Sequence, residues 1–145
     1  MKLLFSLCRI VPLLTLGFLC GCSSFNRDWK KATANSADIQ GRWEGTWTSA
    51  SNDHSDKLRC LVEKLADDKY RARFDSTYEK IIHFKSNVIL SGIKKNQVFY
   101  FNGEAKLPWW AGGIYHYEGK VNPTNFFSTY RCKYDHGTFQ MSRPR

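Results

Sequence analysis

Residues 70–78 read Tyr70-Arg71-Ala72-Arg73-Phe74-Asp75-Ser76-Thr77-Tyr78. Tyr70, Ala72 and Phe74 alternate with Arg71, Arg73 and Asp75, and a period of two sends the two sets to opposite faces of an extended chain. One face suits a core and the other suits water. Immediately upstream, Ala66-Asp67-Asp68-Lys69 is turn chemistry, and before it residues 57–65 place Leu58, Cys60 and Val62 on one side. Further back, residues 41–49 put Trp43 and Trp47 on one face, with Arg42, Glu44 and Thr46 on the other. Three strands joined by reversals follow from this reading.

The pattern continues downstream. Residues 81–93 are apolar on both parities and fit one long bent strand or two short ones. Lys94-Lys95-Asn96-Gln97 reads as a turn, and residues 98–103 set Phe99 and Phe101 against Val98 and Tyr100. Residues 107–113 hold Pro108, Gly112 and Gly113 around Trp109 and Trp110, which is loop composition. Strands at 114–121, 126–134 and 138–142 complete the chain, separated by Asn122-Pro123-Thr124-Asn125 and by Asp135-His136-Gly137. Strands at this spacing, without a sustained helical period, predict a sandwich or a barrel. Open sheets expose rows of unpaired amides, and closure removes them. The expectation is an all-β domain over 39–145, an antiparallel, about eight-stranded up-and-down barrel.

Gly41-Arg42-Trp43 resembles the G-x-W element that opens calycin barrels, the group of lipocalins, fatty-acid-binding proteins and avidins, and Gly45-Thr46-Trp47 repeats the spacing. The resemblance implies that the Trp closes one end of the barrel beside a basic residue near the end of the chain, a role open to Arg143 or Arg131. The runs Gly-Arg-Trp-Glu-Gly-Thr-Trp and Tyr-Arg-Cys-Lys-Tyr-Asp-His-Gly-Thr-Phe also resemble small bacterial envelope lipoproteins, a likeness that brings no activity with it.

The amino-terminal segment has a different character. Met1-Lys2 is followed by an apolar stretch interrupted by Arg9, then by Ile10 to Leu19, and it ends in Leu19-Cys20-Gly21-Cys22. That is the layout of an export signal. Its last four residues resemble a lipobox, and the resemblance implies cleavage after residue 21, a diacylglyceryl group on the Cys22 thiol and membrane anchoring through it. An uncleaved span would need roughly 20 apolar residues, more than the run after Arg9 offers. Cleavage by an ordinary signal peptidase would need an A-x-A type site, which does not follow the run. The organisation expected is therefore a signal peptide at 1–21, a lipidated terminus and flexible tether at 22–38, and the barrel at 39–145. Ser23 after the lipidated cysteine leans, by the same resemblance, towards the periplasmic side of an outer membrane.

Composition narrows the function classes. Hydrophobic residues are 42% of the 145 and aromatics 15%, so the chain folds. The formal charge of +9 falls to about +7 without Lys2 and Arg9, and no basic stripe at helical spacing accompanies it. This charge suits an acidic envelope component and gives no nucleic-acid signature. His54, His83, His116 and His136 lie in four separate segments without metal-ligand spacing, and no G-x-S-x-G elbow exists. No catalytic residue, metal or cofactor is assigned. His136, beside Asp135, is the imidazole most open to a functional role.

Cys60 and Cys132 stand in a compartment that permits a disulfide, and either a bridge or two separate buried thiols fits their apolar neighbours. The aromatic surplus is the feature that points to a ligand. Trp109 and Trp110 in a glycine-bearing loop, with Tyr115 and Tyr117 after it, form the candidate binding set for a small apolar or aromatic molecule at the barrel mouth. The competing expectation is an interior filled by those same rings, leaving a structural or protein-interaction module.

Overall fold

In the computed structural model, residues 20–34 and 37–145 are described; the segment expected to be an export signal, apart from its last residues, and the Cys22 side chain lie outside them. The chain divides into two units, Met1–Lys31 and Ala32–Arg145. Within the first, an α-helix, α1, spans Cys20–Lys31. The tether expected to be irregular is thus helical in its first half. The two isolated aromatics account for this: Phe25 and Trp29 are four apart, meet on one helix face and stack at 5.9 Å. Lys30 and Lys31 in the last turn complement the helix dipole. Among the described residues no helix is long and apolar enough to cross a membrane.

The second unit is a closed barrel of eight antiparallel strands in sequential order. They are β1 (Gly41–Ser49), β2 (Ser55–Ala66), β3 (Lys69–Tyr78), β4 (Ile82–Lys95), β5 (Val98–Lys106), β6 (Ile114–Val121), β7 (Asn125–Arg131) and β8 (His136–Ser142). Closure comes from β1 pairing with β8, Trp47 standing opposite Phe139. The stretch that is apolar on both parities is a single strand, β4, whose Val88 and Leu90 face the core while Ile89 and Ile93 stay exposed. The seventh strand stops at Arg131, short of the expected Tyr134, because the Cys132 amide donates to the Asp135 carbonyl to make the reversal.

Up-and-down connectivity gathers the hairpin tips at two ends. The tips after β2, β4 and β6 share one end with the incoming chain, and those after β1, β3, β5 and β7 share the other. The first end is closed. Trp43 is fully buried there, its indole N–H donates to the Ile39 carbonyl at 2.8 Å, and Phe126 meets it edge-on at 5.8 Å. Arg143, not Arg131, takes the basic position: its guanidinium lies 3.9 Å over the Trp43 ring. It also donates to the carbonyls of Asp38, Gln40, Arg42 and Pro123, tying the incoming segment, β1 and the turn before β7 together at the barrel end.

Gly41 explains why the G-x-W element starts with glycine. Its φ is +103°, and a Cβ there would collide with the Thr33 carbonyl, which accepts from the Arg42 amide at 3.0 Å. The folded unit therefore begins upstream of residue 39, with Thr33, Asp38 and Ile39 sealing the end. The core continues inward through Leu58, Cys60, Tyr70, Phe99 and Val121, all buried.

Candidate functional site

The other end is open. The inward parity of each strand continues past the packed core, yet the side chains it supplies leave a cavity of about 700 Å³. Side chains pack the barrel towards its closed end, and the cavity opens at the other. Phe74 and Phe139 form the floor, 5.2 Å apart, and Tyr117 stacks on Phe74 at 5.9 Å. Three phenols climb the wall from there: Tyr115 stacks on Tyr117 at 6.3 Å and on Tyr130 at 6.2 Å. Opposite them Trp47 and Tyr78 stack at 6.3 Å, with the His54 ring against both. The Trp47 indole is held by donation to the Thr77 carbonyl at 2.8 Å.

A short 3₁₀ turn, η1 (Trp109–Ala111), lies over the rim. Tyr115 fastens it by donating from its hydroxyl to the Ala111 carbonyl at 3.0 Å. Gly112 permits the close approach: its φ is +105°, and a Cβ would sit 2.8 Å from the Cys132 sulfur and 2.9 Å from the Tyr115 ring. Of the four residues expected to bind a ligand, Trp110, Tyr115 and Tyr117 line the cavity. Trp109 does not; it is 78% exposed. Consecutive residues in a 3₁₀ turn project about a third of a revolution apart, so only Trp110 borders the cavity, and it stays 66% exposed.

The polar groups are few and mostly committed. Burial pushes the Tyr117 phenol up to about 12, partly opposed by a hydrogen bond with Ser86. Burial likewise raises Tyr130 and Tyr115, the first reinforced by Asp135 and the second by contact with Cys132. All three phenols are neutral at physiological pH and offer hydrogen bonds rather than charge.

Asp135 accepts from the Ser49 hydroxyl at 2.6 Å, from the Tyr130 hydroxyl at 2.7 Å and from the His136 amide at 2.8 Å. Burial pushes its carboxyl up, and these donors outweigh burial and hold it below the usual carboxylate range. Asp135 thus bonds to the backbone of His136 rather than to its ring, and its oxygens meet Ser49 and Tyr130. Among the described residues no His, Cys, Asp and Glu group is arranged to hold a metal.

Cys60 and Cys132 are both free thiols. Of the two alternatives the structure realises separate thiols, because Cys60 sits in the packed half between Trp43 and Phe74 in register, while Cys132 follows β7 at the open end. Cys132 faces the cavity, a position that treating it as a bridge partner does not suggest. Trp47, Tyr78, Phe84 and Tyr130 also line the site and are absent from the sequence-derived set. The signal for them lies in the alternation itself: each keeps inward parity at a strand end that feeds the open rim.

Fold and site together define an up-and-down eight-stranded barrel with an aromatic, hydrogen-bonding pocket at one end, Lys85 and Asp135 being the charged residues of its lining. No protein-family model, curated protein or solved structure matches the chain.

Proposed function

We propose that this chain is a lipid-anchored protein of the bacterial cell envelope whose barrel holds a small apolar or aromatic ligand in its open half. The observation that carries the ligand reading is the cavity of about 700 Å³, bounded by Phe74, Tyr115, Tyr117 and Trp110. Sites for small molecules typically enclose roughly 300–1,000 Å³ behind mainly apolar walls with a few placed polar groups. The neutral hydroxyls of Tyr117 and Ser86 suit a ligand with an apolar or aromatic body and one hydrogen-bonding substituent. The role is binding rather than catalysis, since the best-positioned acid, Asp135, is consumed by Ser49 and Tyr130 in holding the rim together.

Location follows from the lipobox-like Leu19-Cys20-Gly21-Cys22, with Cys22 acylated and the outer membrane favoured in a host that has two. Two or three acyl chains at about 0.8 kcal/mol per buried methylene hold a domain on a bilayer without any apolar patch on its body.

Titration with an apolar fluorescent probe tests the ligand reading. Ser86→Trp places an indole within the cavity and is expected to weaken probe binding by at least about tenfold, equivalent to some 1.4 kcal/mol, without loss of the folded barrel. Probe binding that is absent, or indifferent to Ser86→Trp, contradicts it. Palmitate labelling in the producing cell tests the anchor: label is expected on the wild type and absent from Cys22→Ser, and an unlabelled wild type that still partitions with membranes contradicts it.

A further inference from the structure

β4 is longer than the strand it turns into. Its register with β3 runs from Ile82↔Tyr78 to Ser91↔Lys69, but its register with β5 begins only at Ile89↔Glu104. Residues 82–88 therefore form an overhang, with β3 as their strand neighbour on one side and the loop that carries η1 on the other. That loop cannot continue the ladder. Pro108 has no amide proton, and the Leu107 amide donates to the Gly113 carbonyl at 2.9 Å, closing the loop on itself. The barrel wall is thus open between β4 and η1, and the cavity lining reflects it. His83 and Lys85, of outward parity, border the cavity together with Phe84 and Ser86 of inward parity, with Pro108 and Ala111 across the gap.

Sheet edges are ordinarily guarded by charge, bulges or brevity. This one presents Ile82 at 50% and Phe84 at 40% exposure, with Ile81 at 79% beside it. Its outward face is basic. His83 and Lys85 stand on β4 and Lys106 across the gap, while Asp75, opposite Lys85, accepts from Arg59 at 2.6 Å and bonds His83 at 3.0 Å. Glu104 lies 2.9 Å from His116, and at the neighbouring tip Glu79, followed by Lys80, lies 3.9 Å from His54. Antiparallel pairing of two copies about Phe84 would set His83 against Lys85, and pairing about Lys85 would set that lysine against itself. The edge is guarded against a second copy and suits a strand that carries acids.

We propose that the β4 overhang takes on an extended peptide segment of another protein as an added strand, its apolar side chains entering the cavity and its acidic ones meeting His83, Lys85 and Lys106. Main-chain hydrogen bonds supply the affinity in this mode, and alternate side chains supply the selectivity. An overhang of this length spans roughly 20 Å at about 3.3 Å per residue, room for about six residues of peptide. The inference goes beyond the small-molecule reading and shares with it only the open cavity.

The test uses the full chain and a blocked hexapeptide that alternates phenylalanine with glutamate, read by hydrogen exchange at the amides of residues 82–88. Peptide is expected to slow exchange there. N-methylation of alternate peptide amides separates strand pairing from apolar burial: methylating one set should weaken binding by about tenfold or more, and methylating the other should be tolerated. Lys85→Glu should weaken the glutamate peptide by roughly two- to fivefold and leave its glutamine counterpart unaffected. No slowing at residues 82–88, or an equal effect of the two methylated sets, overturns the proposal, as does a dimer of the peptide-free chain that protects the same amides. Titration with the apolar probe reports on the cavity separately. Probe uptake without peptide protection removes the added strand and leaves the small ligand; protection without probe uptake does the reverse.

Discussion

Arg143 does four things with one side chain. It covers the Trp43 ring and supplies donors to carbonyls from the incoming segment, β1 and the turn before β7. Truncation removes those donors and strips the ring, so Arg143→Ala is expected to cost about 2–4 kcal/mol. Arg143→Lys should recover little of that, because an ammonium cannot reproduce a planar fork stacked on an indole. Denaturant unfolding of the three chains checks this, and a lysine variant as stable as wild type contradicts it. The two thiols give a second expectation at this scale. Burial pushes the Cys60 thiol well above its ordinary value, whereas Cys132 is partly accessible at the cavity. A small maleimide should modify Cys132 in the folded protein and Cys60 only after unfolding, as peptide mapping will show; a bridged pair would leave both unlabelled.

The strands were legible in the chain because alternation is a local signal: residues 70–78 show their two faces without reference to anything else. The helix α1 was not, since only two aromatics mark its face and no cap announces it. Strand parity located the cavity wall, but the choice between Trp109 and Trp110 depended on one 3₁₀ turn whose phase composition does not encode. The last hairpin, β7–β8, carries a pH dependence that belongs to this scale. Asp135 holds its carboxylate below the ordinary range, so it contributes stability that is complete above about pH 4 and is lost as pH falls through the lower folded value. Asp135→Asn should flatten the fall in unfolding midpoint below about pH 4, and parallel curves would refute this. The buried phenols act at the other limit. With Tyr117 and Tyr130 raised in the fold, stability should fall as pH rises above about 10, with tyrosinate absorbance of the folded protein lagging that of the unfolded chain.

At the scale of the molecule, one end of the barrel is spent on stability and the other is not. Ile39, Trp43, Phe126 and Arg143 close the first, while residues of the same parity at the second surround open space. Sequence pattern indicates that a strand has an inward face; how much of the enclosed volume those side chains fill depends on barrel radius and on eight strands meeting, which no single segment reports. That division is the basis for reading the chain as a carrier of something small. Native mass spectrometry of the wild-type protein, purified from the producing cell in mild detergent, bears on it most directly. The account predicts a non-covalent mass increment at one ligand per chain, lost in Ser86→Trp. A wild-type chain that flies bare and stays bare when offered apolar compounds would contradict it.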